Sequence, residues 1–419
     1  MTGGIPEISD RAPGRGAGLS ADLEALVDPA GRPDPYPVLR RLREASAHTA
    51  SDGLVVVAGH ADCSKVLRDP AMSSERDLFR LSPTARGPRT RNFIHLDPPD
   101  HTRLRRLVTK AFSPRVVAAL EPRIRTLTED LFRAAAERGR FEIVSDLAYP
   151  LPLQVICELL GVPVADHHLF QAWSAKLSEA LEPPLPGLVA PRATGEAARA
   201  RAEFIRYFSE VIAERRTSPR DDLVSQLIQV NENGDQLTDS ELLATCILLI
   251  NAGHETTVNL IANGVLALLR DPDALRLLRA EPELAGNTVE EVLRYDAPVQ
   301  LTTRVARQDT AVGGTVARAG DMLLVLIGAA NRDPQVFEDP DRFDIRRPRA
   351  SQHLSFSAGA HFCLGAALAR LEVRIAFELF ATRVIDPRLT GEEIPYKPNL
   401  SLRGPDRLDV DFRDIKLPD

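Results

Sequence analysis

Residues 356–372 read FSAGAHFCLGAALARLE. One cysteine, Cys363, stands between Gly359 and Gly365, two residues after His361, where an alanine-rich helix begins. A cysteine that only fills a core needs none of those neighbours. Thiolate is the form that binds metal, and the free amides and dipole at a helix N-terminus stabilise negative charge. Gly359 and Gly365 permit positive φ and let a flat ligand approach the backbone. Phe356 packs under the loop, and His361 faces the same ligand edge.

Three chemistries compete for such a cysteine. Zinc takes three or four nitrogen and sulfur ligands close together, and Cys363 has no such company in the sequence. A cysteine nucleophile is a second reading of HFCLG, although no oriented base and acid accompany it. The third is axial ligation of haem iron, where thiolate donation favours O–O cleavage.

The chain has 419 residues, 44% hydrophobic and 26% charged, the composition of a soluble globular protein. A net charge of −7 gives no bulk electrostatic reason to expect nucleic acid. The most apolar window, CILLI at 246–250, is far too short for a bilayer span. Residues 1–20 are polar, glycine-rich and broken by prolines, and read as a flexible tail without a signal peptide. Cys63, Cys157, Cys246 and Cys363 lie far apart with no CxxC, which suits a reducing cytoplasm.

Periodicity predicts mostly helix with a minor β part. DPYPVLRRLREA (34–45) is a helix with Asp34 as its cap and Leu39 and Leu42 inward. LVVVAG (54–59) is a buried strand, and 60–70 a short helix. Residues 73–92 form a loop, read as a lid with Met72, Phe79 and Phe93 beside it. From Asp100 to about Arg294 the helical period is nearly continuous. TAVGGTVARAGDMLLVLIGAAN (310–331) is a hairpin whose second strand is MLLVLIG.

The longest periodic run is 238–272. Thr238 and Glu241 match a capping box, and about thirty helical residues span roughly 45 Å, a domain's width. Its middle reads AGHETT (252–257). Gly253 costs about 1 kcal/mol relative to alanine there. The threonine hydroxyls that follow can bond back to the preceding turn and open the helix. Such a notch is either a kink with a solvated acid or a place for a small ligand and a water chain.

Here the chain resembles the cytochrome P-450 family. FSAGAHFCLG is similar to its haem-binding loop, F-x-x-G-x-(H/R)-x-C-x-G, with Ser357 where many members carry glycine. AGHETT resembles the oxygen-binding helix motif (A/G)-G-x-(D/E)-T-(T/S). EVLR (291–294) resembles E-x-x-R, and PDRF (340–343) resembles P-x-R-F. The motifs keep the family's order, and the resemblance runs from about Asp34 to the C-terminus.

The resemblance implies a mainly α fold with a minor β part, a triangular helical domain plus a small β-rich lobe, over 21–419 as one domain. It implies haem b (iron protoporphyrin IX), with Cys363 as the metal ligand and Ala252, Phe356 and Gly365 against the haem. His101 and Arg105, four residues apart on one helix face, with Arg304 and His361, would hold the propionates. Thr256 and Glu255 match the proton-delivery pair. Glu291, Arg294 and Arg342 would form a buried network holding the cysteine loop. The expected substrate pocket is Phe93, Ile94, Leu249, Gly253, Val299, Thr302, Thr303, Ser401 and Leu402.

The implied function is a cytoplasmic monooxygenase. It would hydroxylate an apolar small molecule with O2, in the manner of actinobacterial enzymes acting on macrolides and other secondary metabolites. A chain of this length carries no reductase domain, so electrons would come from a ferredoxin and its reductase, docked on Arg103, Arg106 and Lys110. No nucleic acid and no membrane enter. Epoxidation, desaturation or oxidative coupling in the same pocket is the alternative outcome. A haem sensor, or a haem-free cysteine hydrolase, is the reading from another class.

Overall fold

The computed structural model describes residues 15–45, 47–51, 53–75, 78, 92–179, 185, 195–230, 235–391 and 393–417. Helices dominate, and the strands gather in small sheets. The largest sheet orders five strands as His48–Ser51, Leu54–Val57, Met322–Val325, Thr302–Ala306 and Met72–Ser73. Leu54–Val57 and Met322–Val325 run parallel, Leu54 opposite Met322 and Val57 opposite Val325. Alternate side chains of both strands enter different clusters: Leu54, Val56 and Leu324 one, Val55, Val57 and Leu323 another. With both faces covered, each strand is apolar throughout rather than alternating. Met72 belongs to one of these clusters, not to a ligand pocket, and Phe79 lies outside the described residues.

Two boundaries move. Helix Arg15–Val27 starts inside the stretch read as a tail, because Leu23 and Leu26 bury against Leu39 and Leu42 and carry the helix with them. Residues 1–14 are outside the described part. The hairpin of 310–331 is shorter than expected. Thr310–Val312 pairs with Thr315–Ala317 across Gly313 and Gly314, both at positive φ, as a two-residue turn requires. MLLV belongs to the five-stranded sheet instead, and the chain then turns into helix Ile327–Ala330.

The long helix runs from Asp239 to Arg270 without a break, started by the capping box of Thr238 and Glu241. The expected opening at AGHETT is absent from the ladder. The hydroxyls of Thr256 and Thr257 instead donate to Ala252 O (2.8 Å) and Gly253 O (2.9 Å). Gly264 lets this helix press onto helix Ala366–Arg383, for a Cβ there would stand 2.0 Å from the Phe377 ring. That contact fixes the angle between the helix that carries AGHETT and the helix that follows Cys363.

A buried ionic network braces the other side of the cysteine loop. Arg294 clasps Glu291 with Nε–Oε2 at 2.7 Å and Nη2–Oε1 at 2.8 Å, both side chains fully enclosed. The third member is Arg347, not Arg342: Arg347 Nε lies 3.1 Å from Glu291 Oε1. Arg342 offers its backbone oxygen to both arginines, while its side chain is 65% exposed beside Asp344. The reason is local. Asp344 N donates to Glu291 Oε1 at 2.8 Å, which draws the segment in so that Ile345 and Arg347 point inward and Arg342 outward. Asn331 then links this corner to the loop, accepting from Leu354 N at 2.7 Å and donating to Ser355 Oγ at 2.7 Å.

Breaking a buried ion pair from one side costs about 3–5 kcal/mol, whereas an exposed pair contributes about 0–1 kcal/mol. Glu291→Ala and Arg347→Ala should therefore lower the thermal midpoint by many degrees and shed haem. Arg342→Ala should melt within a degree or two of the parent. Equal losses at 342 and 347 in thermal unfolding would contradict this assignment.

Candidate active site

The segment around Cys363 folds back on itself. Ser357 N donates to Leu354 O, and Cys363 N to Phe356 O, both at 2.8 Å. Ser357 (φ 61) and Gly359 (φ 67) occupy the left-handed region. At Gly359 a Cβ would also lie 2.8 Å from Leu67 O, so glycine alone lets the loop rest on helix His60–Arg68. The left-handed turn at 357 is what glycine would relieve, and serine there costs about 1–2 kcal/mol. Gly365 serves differently from expectation. Its φ is −84, and a Cβ on it would meet nothing within 4 Å, so its value is space rather than backbone freedom.

That space is part of a cavity of about 360 Å3. Cys363, Gly365, Leu368 and Glu372 line one side, and Leu249, Ala252, Gly253, Thr256 and Leu260 of the long helix line the other. Gly253 also has open space where a Cβ would be. Cys363 lies deep in the protein, and its exposure is to this cavity. Burial raises its thiol pKa, and this outweighs the amides of Gly365 and Ala366 and the cations of Arg105 and Arg370, which favour thiolate. The helix start thus helps the anion without being sufficient, and a cation at the sulfur would complete the balance. The other cysteines are buried and inert, with burial pushing the thiols of Cys157 and Cys246 up to about 12.

Beside the sulfur the sequence gathers two arginines and two histidines. Arg105, Arg304 and His361 line the cavity. His101 does not line it, but its ring lies against that of His361, with centroids 4.1 Å apart. Both ring nitrogens of His101 are buried without a hydrogen-bond partner. Burial, then the neighbouring His101 and Arg304, drive the His361 pKa down to about 3. Asp97, an acid felt by both histidines, is turned to Ser73, Ser74 and Arg307. Four nitrogenous groups crowd together, and two carboxylates entering here would supply the missing charge. A sulfur donor, two arginines with two histidines poised to gain charge beside an anion, and room at Gly253 and Gly365 together fit an iron porphyrin with two propionates. Phe356 lines the site too, with the Arg370 guanidinium 4.5 Å from its ring centre.

On the opposite wall Thr256 faces the cavity and Glu255 does not. Glu255 is buried one position round the helix and ion-paired to Lys397, which also donates to Asn259 Oδ1 at 2.9 Å. His254 is enclosed, its Nε2 3.1 Å from Tyr149 O, and burial drops its pKa to about 4. Of the expected pocket, Phe93, Ile94, Leu249, Gly253, Val299, Thr302 and Thr303 line the cavity. Ser401 and Leu402 do not. They are buried beside the 299–300 segment, Leu402 bridged to Val299 and Ser401 O accepting from Gln300 N at 2.9 Å. Most of the expected lid, residues 79–91 above all, lies outside the described part.

The basic helix Asp100–Thr109 shows two faces. His101 and Arg105 turn to the cavity side. Arg103 and Arg106, read as docking cations, pair with Glu241 and Asp235 near the start of the long helix, the latter at 2.9 Å. Sequence reasoning also missed Lys397, Arg347 and Glu372. The first two come from loops whose approach is a tertiary matter, though the alternation Phe343, Ile345, Arg347 did hint that Arg347 turns inward.

Glu372 is a buried acid whose Oε2 has no partner, and burial raises its pKa from 4.5 to about 8. The folded state thus holds the proton longer than the unfolded chain does. Stability is full below about pH 4.5, falls as pH rises toward 8 by up to about 1.4 kcal/mol per unit, then levels. Glu372→Gln should abolish that decline, being more stable than the parent at pH 8 and equal to it near pH 4.5. Parallel curves in urea titrations at both pH values would show that Glu372 is already ionised.

The cytochrome P-450 family profile matches residues 46–383. The cytochrome P-450 monooxygenase PikC of Streptomyces venezuelae is 42% identical over 392 residues, 91% of each chain. Vitamin D(3) 25-hydroxylase of Pseudonocardia autotrophica is 40% identical, over 90% of this chain and 92% of that one. The ligand-free crystal structure of CYP164A2 from Mycobacterium smegmatis superposes with a TM-score of 0.86 at 45% identity, covering 94% of this chain and all of the other. The chain therefore belongs to the cytochrome P-450 family, as a haem b monooxygenase that acts on a small molecule with O2.

Proposed function

We propose that this monooxygenase hydroxylates an apolar secondary metabolite of the macrolide or related polyketide class, in the cytoplasm, with electrons from a ferredoxin and its reductase. The observation that carries the reading is the chamber over Gly253. Its walls are Phe93, Ile94, Leu248, Leu249, Val299 and Ile327, interrupted by a few hydroxyls such as Thr302 and Thr303. Such a surface takes up a large apolar molecule and orients it with few polar contacts. The hydroxylase named among the relatives supports oxygen insertion over the alternative outcomes. Four free cysteines, and the lack of a helix long and apolar enough to cross a membrane among the described residues, agree with a cytoplasmic setting. The ferredoxin rests on the resemblance, since Arg103 and Arg106 are engaged within the chain.

In this reading Cys363 would hold the haem iron through its thiolate, aided by the amides of Gly365 and Ala366, with Phe356 beside it. Arg105, Arg304 and His361 would hold the propionates, and His101 packs against His361. The bound haem supplies reductive activation of O2 and insertion of one oxygen atom into a C–H bond. Ala252 and Gly253 leave the space this needs. Thr256 keeps its hydroxyl at the cavity wall through its bond to Ala252 O, with oxygen lone pairs left to accept a proton donor. Glu255, one residue away, is the acid that brings protons from outside the cavity.

Thr256→Ala should keep its haem yet lose coupling of NAD(P)H consumption to product by about tenfold or more, releasing peroxide instead. Unchanged coupling would remove the role. The substrate class is read by difference titration of the purified haem protein with macrolides, steroids, fatty acids and terpenes, followed by mass analysis of products. Macrolides should shift the spectrum from water-ligated to five-coordinate iron at the lowest concentration and gain one oxygen. A stronger shift with fatty acids or steroids would reassign the substrate, and a product lacking the added oxygen would favour desaturation or coupling.

A further inference from the structure

Arg105 lines the cavity beside Cys363, but a second cation reaches the cysteine loop without lining the cavity. Arg370 stands one turn into helix Ala366–Arg383, its guanidinium 4.5 Å from the centre of the Phe356 ring. Phe356 in turn is tied to the residue that bears the sulfur, since its carbonyl accepts from Cys363 N at 2.8 Å. Glu290 clasps the guanidinium as a fork, with Arg370 Nε 2.6 Å from Oε1 and Nη2 3.0 Å from Oε2. Glu290 belongs to helix Ala285–Tyr295, one residue before Glu291 of the buried brace. Its Oε2 also lies 3.3 Å from Nε2 of His353. Ser355 N donates to His353 Nδ1 at 3.1 Å, so this ring is neutral and carries its proton on Nε2, the nitrogen beside the carboxylate. His353 and Glu290 are shielded, at 1% and 13% exposure, while Arg370 is 35% exposed.

We propose that Arg370 is a positioning residue for the charge of the Cys363 sulfur: seated on Phe356 by Glu290, it moderates the donation of the thiolate to the iron and raises the reduction potential of the haem. This rests on Cys363 as the sulfur that holds the iron. The effect is electrostatic. Burial raises the Cys363 thiol pKa, and Arg105 and Arg370 are the cations that work against it. Reduction of the iron takes one electron from the redox partner and adds one negative charge beside the sulfur. A nearby cation favours that product, and a nearby anion opposes it. Glu290 therefore plays two parts, holding Arg370 in place and offsetting some of its charge. The pair presents its positive end to Phe356 and the loop.

The two cations differ in what the haem leaves them. Arg105, which donates to Phe362 O, lines the cavity, where a propionate would take up its charge. Arg370 is outside the cavity, so its action on the sulfur persists in the loaded protein. Its partners hold fixed charges above neutral pH. Burial works against the Glu290 anion, yet His353 and Arg370 hold its pKa at about 2. Burial also keeps His353 below its usual pKa against the pull of Glu290.

The test compares haem-loaded wild type with Arg370→Met, Arg370→Lys, Glu290→Gln and the Arg370→Met/Glu290→Gln double variant. The glutamine carbonyl of Glu290→Gln still accepts from Arg370, so the cation keeps its seat. Haem content and the reduced carbonyl absorbance check that each protein is intact. Two quantities are read above neutral pH: the reduction potential, by spectroscopic redox titration, and the C–O stretching frequency of the reduced carbonyl complex, which falls as the sulfur donates more. Arg370→Met should move the potential negative and lower the frequency, and Glu290→Gln should move both the other way. The double variant should fall between them, and Arg370→Lys should stay nearest to wild type. A strut with no electrostatic part would shift Arg370→Met and Glu290→Gln in the same direction or not at all, and either result would overturn the proposal. Where Arg370→Met fails to hold haem, Glu290→Gln decides: a positive shift of potential supports the proposal, and a zero or negative one overturns it. A wild type whose reduced carbonyl band is that of a nitrogen-ligated haem would instead overturn Cys363 as the ligand.

Discussion

Two helices must touch at one end and stand apart at the other. The long helix Asp239–Arg270 and the cysteine helix Ala366–Arg383 meet where Gly264 accepts the ring of Phe377. Three turns earlier on the first helix, and at the start of the second, they part around a cavity floored by Cys363 and roofed by Gly253. Close packing would close such a gap. It stays open because the loop before the cysteine helix is braced from outside, by the left-handed turns at Ser357 and Gly359 and by the Glu291–Arg294–Arg347 network. Every functional side chain takes its place from that separation.

The buried charges divide into two kinds. Those of the brace satisfy one another: Glu291 is claimed by two guanidiniums and one amide, and Arg294 by Glu291 and three backbone oxygens. Glu290 is similar. Burial works against its anion, but His353 and Arg370 prevail and hold its pKa at about 2. The charges around the cavity are not closed in this way. His101 has no partner, His361 is driven far from its usual range, and Glu372 has an oxygen bonded to nothing. Folding selects the first kind, since an unsatisfied buried group costs stability. The second kind persists because a ligand and a reaction use it. The Glu255–Lys397 pair stands between the two, satisfied at rest and adjacent to the chemistry.

Legibility followed the range of the interactions. The capping box of Thr238, the inward Leu39 and Leu42, and the pairing of His101 with Arg105 on one helix face depend on neighbours within a turn. They could be read directly. The hairpin at Gly313–Gly314 was legible as a turn, yet its partner strand was misassigned because MLLV pairs with a strand more than 260 residues away. Ser401 and Leu402 were placed at the cavity by the family resemblance. A backbone bridge sets Leu402 beside Val299, and of the two only Val299 lines the cavity.

The sequence by itself determined where the chemistry lies. A cysteine at a helix start within a glycine-bearing loop, with a notched apolar helix upstream, marks a reactive or metal-binding sulfur, because those features are local in the chain, and the order of the motifs selects haem through the family resemblance. Tertiary structure decided which charges serve that chemistry. Arg347 rather than Arg342 braces the loop, Arg103 and Arg106 pair with Glu241 and Asp235, and Lys397 holds Glu255. An arginine or lysine reaches several ångströms from its backbone, and its partner is set by what packs beside it. Only the folded arrangement supplies that neighbour.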